Sequence, residues 1–294
     1  MKIVFVLCDA LRYDYYRSHM PELNLFADSV EDHEFCLSCA PYTAISLRYL
    51  LCNSKEWSTE NNLITDLKKK GYQTTLIQST PIFEQYEYDK VFENNIDVFK
   101  EEYGKTAAKL RKNYKDNLMW KAFRKVVLGI GYRRAGKTIE YSKKHMKNVP
   151  ENSFTWIHLM DTHIPWMPVN LEDYTSKTEV EFIHQKLREN KWKDCLNQEE
   201  RALVKRLYGD ECRYLDAELN KLIKEIDYDM LIITADHGDL LGEYGNYSHP
   251  DIPCPELLHV PLIIDEGIRK KVTKEYSHLS LRNRILEKVS DEAP

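Results

Sequence analysis

A chain of 294 residues, with 43% hydrophobic and 30% charged residues, can bury one large core and has the composition of an ordinary globular protein. Its 42 basic and 47 acidic residues leave a net charge of −5, which argues against an overall nucleic-acid binder. Seven cysteines, an odd number, suit no closed disulfide framework, and they point to reduced thiols in a cytoplasmic setting.

The chain begins Met-Lys-Ile-Val-Phe-Val-Leu-Cys, an apolar run too short for a signal peptide and with no small-residue cleavage site after it. It reads instead as a first strand, at 2–8, of a sheet covered on both faces. Similar apolar or β-branched runs at 73–78, 154–160, 229–234 and 260–264 read as further strands. Helical patterns fall between them, at 43–52, 61–70, 105–148, 178–190, 197–226 and 278–290. Asn61 is placed to cap the second helix and Gly71 to end it. No run has the length of a membrane span.

This alternation predicts an α/β fold, a three-layer αβα sandwich with a mostly parallel central sheet, formed as a single domain over residues 1–294. Ligands of such a sheet gather outside the carboxyl ends of its strands. One stretch departs from the pattern. Residues at about 100–148 form a basic helical insertion, rich in Lys and Arg and carrying Trp120, Phe123, Val126, Val127 and Leu128. It reads either as a solvated helical hairpin packed on the sheet, or as a basic surface for peripheral contact with a membrane or another anionic polymer.

The chemistry concentrates at Ile-Ile-Thr-Ala-Asp-His-Gly-Asp, residues 232–239, where a β-branched run ends in Asp236-His237-Gly238. That ending delivers a carboxylate and an imidazole to a strand end, a pairing suited to a divalent cation, and glycine lets the backbone pass close by. Asp9 follows the first strand in the same way, although an ordinary turn aspartate is the alternative there. Pro41 cannot sit inside a helix, so the next helix starts just after it with Thr43 in the first turn. Free N–H groups and the helix dipole stabilise an anion at that place. Thr43 is then either a plain N-cap or a nucleophile whose hydroxyl is activated by a neighbouring metal.

The chain resembles the alkaline phosphatase/sulfatase superfamily, in particular its small sulfatase-like hydrolases. The resemblance is carried by Cys-Asp-Ala-Leu-Arg-Tyr-Asp at 8–14, Pro-Tyr-Thr-Ala-Ile-Ser at 41–46 and Leu-Met-Asp-Thr-His-Ile-Pro-Trp at 159–166. It continues through Thr-Ala-Asp-His-Gly-Asp-Leu-Leu-Gly-Glu-Tyr-Gly at 234–245, Ser-His-Pro at 248–250 and Glu-Leu-Leu-His-Val-Pro-Leu-Ile-Ile at 256–264. These motifs stand in family order along nearly the whole catalytic domain. Tyr208 and Asp216 also resemble positions of the helix before the family's Asp-His strand.

The resemblance implies that Asp9, Asp236 and His237 are metal ligands, with Thr43 at the place of the metal-bound nucleophile. Ser46 and Asn53 then fall where the family has a Ser and the Gly that ends its nucleophile helix. His163 and His249 resemble residues that hold a second metal or bind the transferred anion, and packing beside Trp166 is the alternative for His163. Arg12 ties its loop together, and Asp14 and Asp161 support the ligands from behind. Zn or Mn suits mixed Asp/His ligation, while Ca prefers oxygen alone; Ca and Mg are the other cations the motif admits.

One departure from the family matters. Its sulfatases convert the Cys or Ser of a Cys-x-Pro-x-Arg motif to formylglycine, whereas Cys39-Ala40-Pro41-Tyr42-Thr43 has Thr in place of the Arg. A threonine cannot become formylglycine, and its chemistry resembles that of the superfamily's phosphodiesterases and phosphotransferases. The expected activity is therefore metal-dependent hydrolysis or transfer of a small-molecule, lipid-linked or glycan-linked phosphate ester through a phosphothreonine. A sulfuric-ester hydrolase that has lost the usual nucleophile or uses Cys39 is the second reading. A catalytically silent relative that binds an anionic glycan or lipid is the third.

Overall fold

The computed structural model describes residues 1–104 and 133–291. Most of the basic insertion expected at about 100–148 therefore lies outside the described residues. Eleven strands occur among those described: β1 (Lys2–Cys8), β2 (Glu31–Leu37), β3 (Gln73–Gln78), β4 (Asn94–Asp97), β5 (Ser153–Leu159), β6 (Met230–Thr234), β7 (Leu240–Leu241), β8 (Tyr247–Ser248), β9 (His259–Asp265), β10 (Lys270–Val272) and β11 (Tyr276–Ser277). Nine of them form one sheet in the order β10-β2-β9-β6-β1-β5-β3-β4, with β11 also paired to β2, while β7 and β8 make a separate hairpin.

The central pairs β6-β1-β5-β3-β4 are all parallel. Every residue of β5 and β6, and Ile3–Cys8 of β1, is buried, as continuous apolar runs in a doubly covered sheet require. β9 runs antiparallel to both β6 and β2. Pro261 within β9 has no N–H for the ladder, and the β2–β9 register shifts between His33 and Cys36, beside that position.

Helices cover both faces. On one side pack α1 (Tyr13–His19), α2 (Pro21–Ala27), α5 (Ala135–Met146) and the long α7 (Gln198–Glu225); on the other, α3 (Thr43–Cys52), α4 (Leu63–Lys69) and α8 (Leu281–Asp291). Between the sheet and α7 in sequence lies α6 (Lys177–Glu189). The three-layer α/β sandwich is thus the observed fold. α7 begins on a reciprocal capping box between Asn197 and Glu200, and Ser176 caps α6 by accepting from Glu179 N–H. No described helix is long and apolar enough to cross a membrane.

Several boundaries differ from the sequence reading. The cap of α4 is Asn62, whose side chain accepts from Thr65 N–H, one residue beyond the expected Asn61. Gly71, at φ +82°, does end that helix. β2 was not expected, because Glu31-Asp32-His33-Glu34 reads as a polar surface. It becomes a strand because tertiary partners neutralise it: Arg284 Nη1 lies 2.7 Å from Glu31 Oε1, and Arg17 Nη1 lies 3.5 Å from Asp32 Oδ2. The short α1 and α2 were missed too, since seven residues carry too few apolar repeats to register. α5, inside the basic stretch, is part of the core: Ala135, Thr138, Ile139, Ser142 and Met146 are buried.

Candidate active site

Four chain segments meet at the carboxyl edge of the parallel strands. Asp9 directly follows β1, Asp236 stands two residues past β6, His163 follows β5, and Thr43 opens α3. Register places these endings side by side, because Leu7 pairs with Thr234 and Cys8 with Leu159. The Asp9 amide donates to Leu159 O at 2.8 Å, and Thr162 Oγ1 donates to Asp9 O at 2.6 Å. Behind this loop, Tyr208 donates to Ala10 O at 2.7 Å and accepts from Arg12 N–H at 2.9 Å.

Thr43 is the first residue of its helix, and Tyr42 before it supplies no side-chain cap to the helix's first N–H groups. Ser46 donates to Ala40 O at 2.8 Å, and Ser38 bridges Ser46 Oγ and the carbonyl of Asp236. Those serines lock the threonine turn to the Asp-His loop. Asn53 ends the helix in the left-handed region at φ 55°, where glycine or asparagine is favoured.

Gly238 is required by close approach. A Cβ there would sit 2.0 Å from Glu256 O and 2.9 Å from Arg12 Cγ, while its own N–H donates to Leu257 O at 2.8 Å. Arg12 clamps the same loop by donating to Asp239 O at 3.1 Å, with ion pairs to Asp14 and Glu243. Asp14 is thus the partner of Arg12. Asp161 accepts from Ala135 N–H at 2.9 Å and pairs with Arg134, on the α5 side of the loop.

The central cluster is fully buried and compact. His237 Nε2 lies 3.4 Å from Asp236 Oδ2 and 3.7 Å from Asp9 Oδ1, and Thr43 Oγ1 lies 3.1 Å from His237 Nε2 and 3.4 Å from Asp9 Oδ2. His237 Nδ1 faces Gly238 O at 2.7 Å. A carbonyl only accepts, so Nδ1 carries the hydrogen and Nε2 presents a lone pair. Asp9 Oδ1 and Asp236 Oδ2 are buried without a hydrogen-bond partner, a costly arrangement that a cation between them would relieve. The two oxygens and the nitrogen form an Asp/Asp/His donor set that fits a divalent ion such as Zn or Mn.

The electrostatics agree. Burial pushes the Asp236 carboxyl well up, and the neighbouring Asp9 charge pushes it further. Burial also opposes ionisation of Asp9, but the His158 hydrogen bond and the nearby His163 and His237 outweigh it and hold that carboxyl below its usual range. Burial, with His249 close by, lowers His237 to about 4, so it stays neutral as a ligand must be.

His163 and His249 converge on the same pocket. Their ring centroids are 5.0 Å apart, and the His249 ring is 4.5 Å from that of His237. Trp166 packs instead on His184 and Tyr208. His163 Nδ1 is engaged by Ile164 O at 2.6 Å. Burial would lower the His249 pKa, but Asp239 more than compensates and raises it. Cys39 has a different neighbour: its Sγ lies 3.6 Å from Ser277 Oγ, and burial raises its thiol.

Two residues escaped the sequence reading. Asp239 contacts His249 Nδ1 at 2.8 Å, and its place two residues after His237 in the Asp-His-Gly-Asp motif was the available signal. His158, whose Nε2 lies 3.1 Å from Asp9 Oδ2, is hidden inside a strand run that looks like plain core.

The sequence model of the sulfatase family matches residues 2–288, and the chain belongs to that family. Solved structures share its fold. The soluble domain of lipooligosaccharide phosphoethanolamine transferase A from Neisseria meningitidis superposes with a TM-score of 0.70 at 17% identity, over 98% of this chain and 86% of that one. Phosphonate monoester hydrolase from Silicibacter pomeroyi gives 0.68 at 17% identity, over 98% of this chain and 73% of that one. The C-terminal periplasmic domain of EcEptC from Escherichia coli, in complex with Zn, gives 0.67 at 16% identity, over 97% and 81%. No curated protein sequence matches the chain.

Proposed function

We propose that this protein is a metal-dependent phosphoric-ester hydrolase or phosphotransferase that works through a phosphothreonine at Thr43. The observation that carries the reading is the Thr43 hydroxyl, at a helix start and within reach of both His237 Nε2 and Asp9 Oδ2. The neighbours named as phosphonate monoester hydrolase and phosphoethanolamine transferase support phosphoryl over sulfuryl chemistry. Cys39 contacts Ser277, which is not among the cluster's residues, and this gives the sulfuric-ester reading no support.

Asp9, Asp236 and His237 would hold the divalent cation, Zn or Mn by donor type, which when bound supplies Lewis acidity and lowers the pKa of a neighbouring hydroxyl. The Thr43 hydroxyl gives up its proton to solvent water and its oxygen attacks phosphorus in line. A bond from Thr43 Oγ1 to phosphorus forms as the bond to the leaving alcohol breaks. The first N–H groups of α3 stabilise the equatorial charge. His249, held by Asp239, gives a proton to the departing oxygen, and His163 beside it binds the anionic group. Water, or an acceptor alcohol, then attacks the phosphothreonine and restores Thr43.

The substrate class is a phosphate ester, small or carried on a lipid or glycan. The basic residues at about 100–148 are the proposed contact with an anionic membrane or polymer. All seven cysteines are free, which suits a reducing, cytoplasmic setting; several similar structures come from proteins described as periplasmic or integral to a membrane. The test is turnover of bis(p-nitrophenyl) phosphate with added Mn or Zn. Thr43→Ala is expected to reduce it by roughly 10³-fold or more, as removal of a nucleophile does. Undiminished turnover, or formylglycine at Cys39 in the intact-protein mass, overturns the assignment.

A further inference from the structure

We infer that His158 is a positioning residue that holds Asp9 as a one-oxygen ligand and so biases the pocket toward Zn or Mn over Ca, an inference that rests on the cation reading of Asp9, Asp236 and His237. His158 is the penultimate residue of β5, paired in register with Leu7, and is 0% exposed. Its Nε2 lies 3.1 Å from Asp9 Oδ2. A carboxylate accepts, so Nε2 carries the hydrogen. The other ring nitrogen, Nδ1, is buried with no hydrogen-bond partner, and the ring packs edge-on against Phe83 at 5.4 Å.

A leucine would fill that apolar space without stranding a nitrogen, which costs roughly 1–3 kcal/mol. The single polar contact that an imidazole adds here is the one to Asp9. Its effect is to make the two carboxylate oxygens unequal. Oδ2 receives His158 and Thr43, at 3.1 and 3.4 Å, whereas Oδ1 has no partner and faces His237 Nε2 at 3.7 Å. Asp9 therefore offers one oxygen to a cation. Zn takes few ligands and accepts a single carboxylate oxygen, whereas Ca wants six to eight oxygens and uses bidentate carboxylates. Removing the His158 N–H frees Oδ2 to swing in as a second ligand.

The experiment uses metal-free protein with Zn²⁺ or Ca²⁺ alone and no substrate, with affinity read by chelator-competition calorimetry and stoichiometry by elemental analysis. His158→Leu keeps the packing and loses the donor; His158→Gln keeps an N–H that reaches Asp9. The expected result is about 10–100-fold weaker Zn²⁺ binding by the Leu variant, as for lost support of a metal ligand, together with a smaller Zn-over-Ca preference. The Gln variant stays near the unmodified protein. Equal Zn²⁺ affinity in the Leu variant, or equal loss in Leu and Gln, overturns the inference while leaving the cation site standing. Absence of Zn²⁺ uptake by the unmodified protein removes the cation reading, and the inference falls with it. If circular dichroism shows the Leu variant unfolded, His158→Asn, too short to reach Asp9, takes its place with the same expectations.

Discussion

Asp239 Oδ1 lies 2.8 Å from His249 Nδ1, and this contact turns the ring so that its other nitrogen is left to the pocket shared with His163 and His237. The carboxylate also raises the His249 pKa against the effect of burial. The pair thus couples a proton-bearing imidazole to the nucleophile's edge of the sheet.

Asp239→Asn should therefore slow substrates with poor leaving groups more than those with good ones. The expected loss is about 10²-fold in kcat on an alkyl phosphodiester, the low end for removing general-acid assistance, and much less on bis(p-nitrophenyl) phosphate. Parallel kcat measurements on the two esters check this; equal losses would remove His249 as the acid. In metal-free protein the pair also contributes stability below the ordinary imidazole range, and that contribution is lost as pH rises through the raised folded value. The melting-point gap between unmodified protein and variant should narrow accordingly.

Asp236→Asn is expected to lose bound cation, read by elemental analysis, yet to stabilise the metal-free protein at neutral pH. The folded state holds the Asp236 proton well above its ordinary value, whereas the unfolded chain releases it. The native state is therefore penalised as pH rises past that ordinary value. Calorimetry of the stripped proteins should place the melting point of the Asn variant above that of the unmodified protein; an equal or lower value would contradict it. Added Zn²⁺ should then raise the unmodified protein alone.

The Arg134 network predicts a second pH dependence. Arg134 lies between two fully buried carboxyls, Asp161 and Glu211, with contacts of 3.0 and 2.7 Å. Burial pushes Asp161 to about 6 and Glu211 to about 7 despite the arginine. The native state then holds more protons than the unfolded one across that window, so stability present at low pH is lost as pH rises. Glu211→Gln escapes this loss, and should gain on the unmodified protein by on the order of 1–3 kcal/mol between about pH 4 and about pH 8. Urea unfolding at several pH values measures the difference, and a pH-independent gap would contradict it.

Gly238→Ala drives a methyl group into Glu256 O, so the backbone carrying Asp236 and His237 must move. Overpacking of this kind costs roughly 1–3 kcal/mol. The variant is expected to melt lower and to bind Zn²⁺ more weakly by calorimetric titration. A variant unchanged in both would show that the loop has slack the structure does not suggest.

Much of the layered architecture is legible in the chain because buried parallel strands are continuous apolar runs. KIVFVLC, SFTWIHL and MLIIT announce themselves by composition, and the Asp-His-Gly-Asp ending of one of them announces chemistry. β2 was invisible for the opposite reason. Its four polar residues look like surface until Arg284 and Arg17, from other elements, neutralise Glu31 and Asp32. His158 was hidden by the same logic, since a histidine inside a buried strand has the pattern of core.

Residue types alone determined the α/β class, the family and the donors available, because hydrophobic period and side-chain chemistry are local properties. Only the tertiary structure decided which oxygen of Asp9 is bare, that His249 leans on Asp239, and that Thr43 lies against His237 rather than merely capping a helix. Those facts depend on strand register and on loops pinned by Ser38, Tyr208 and Arg12, and such relations between distant segments have no signature in any one of them.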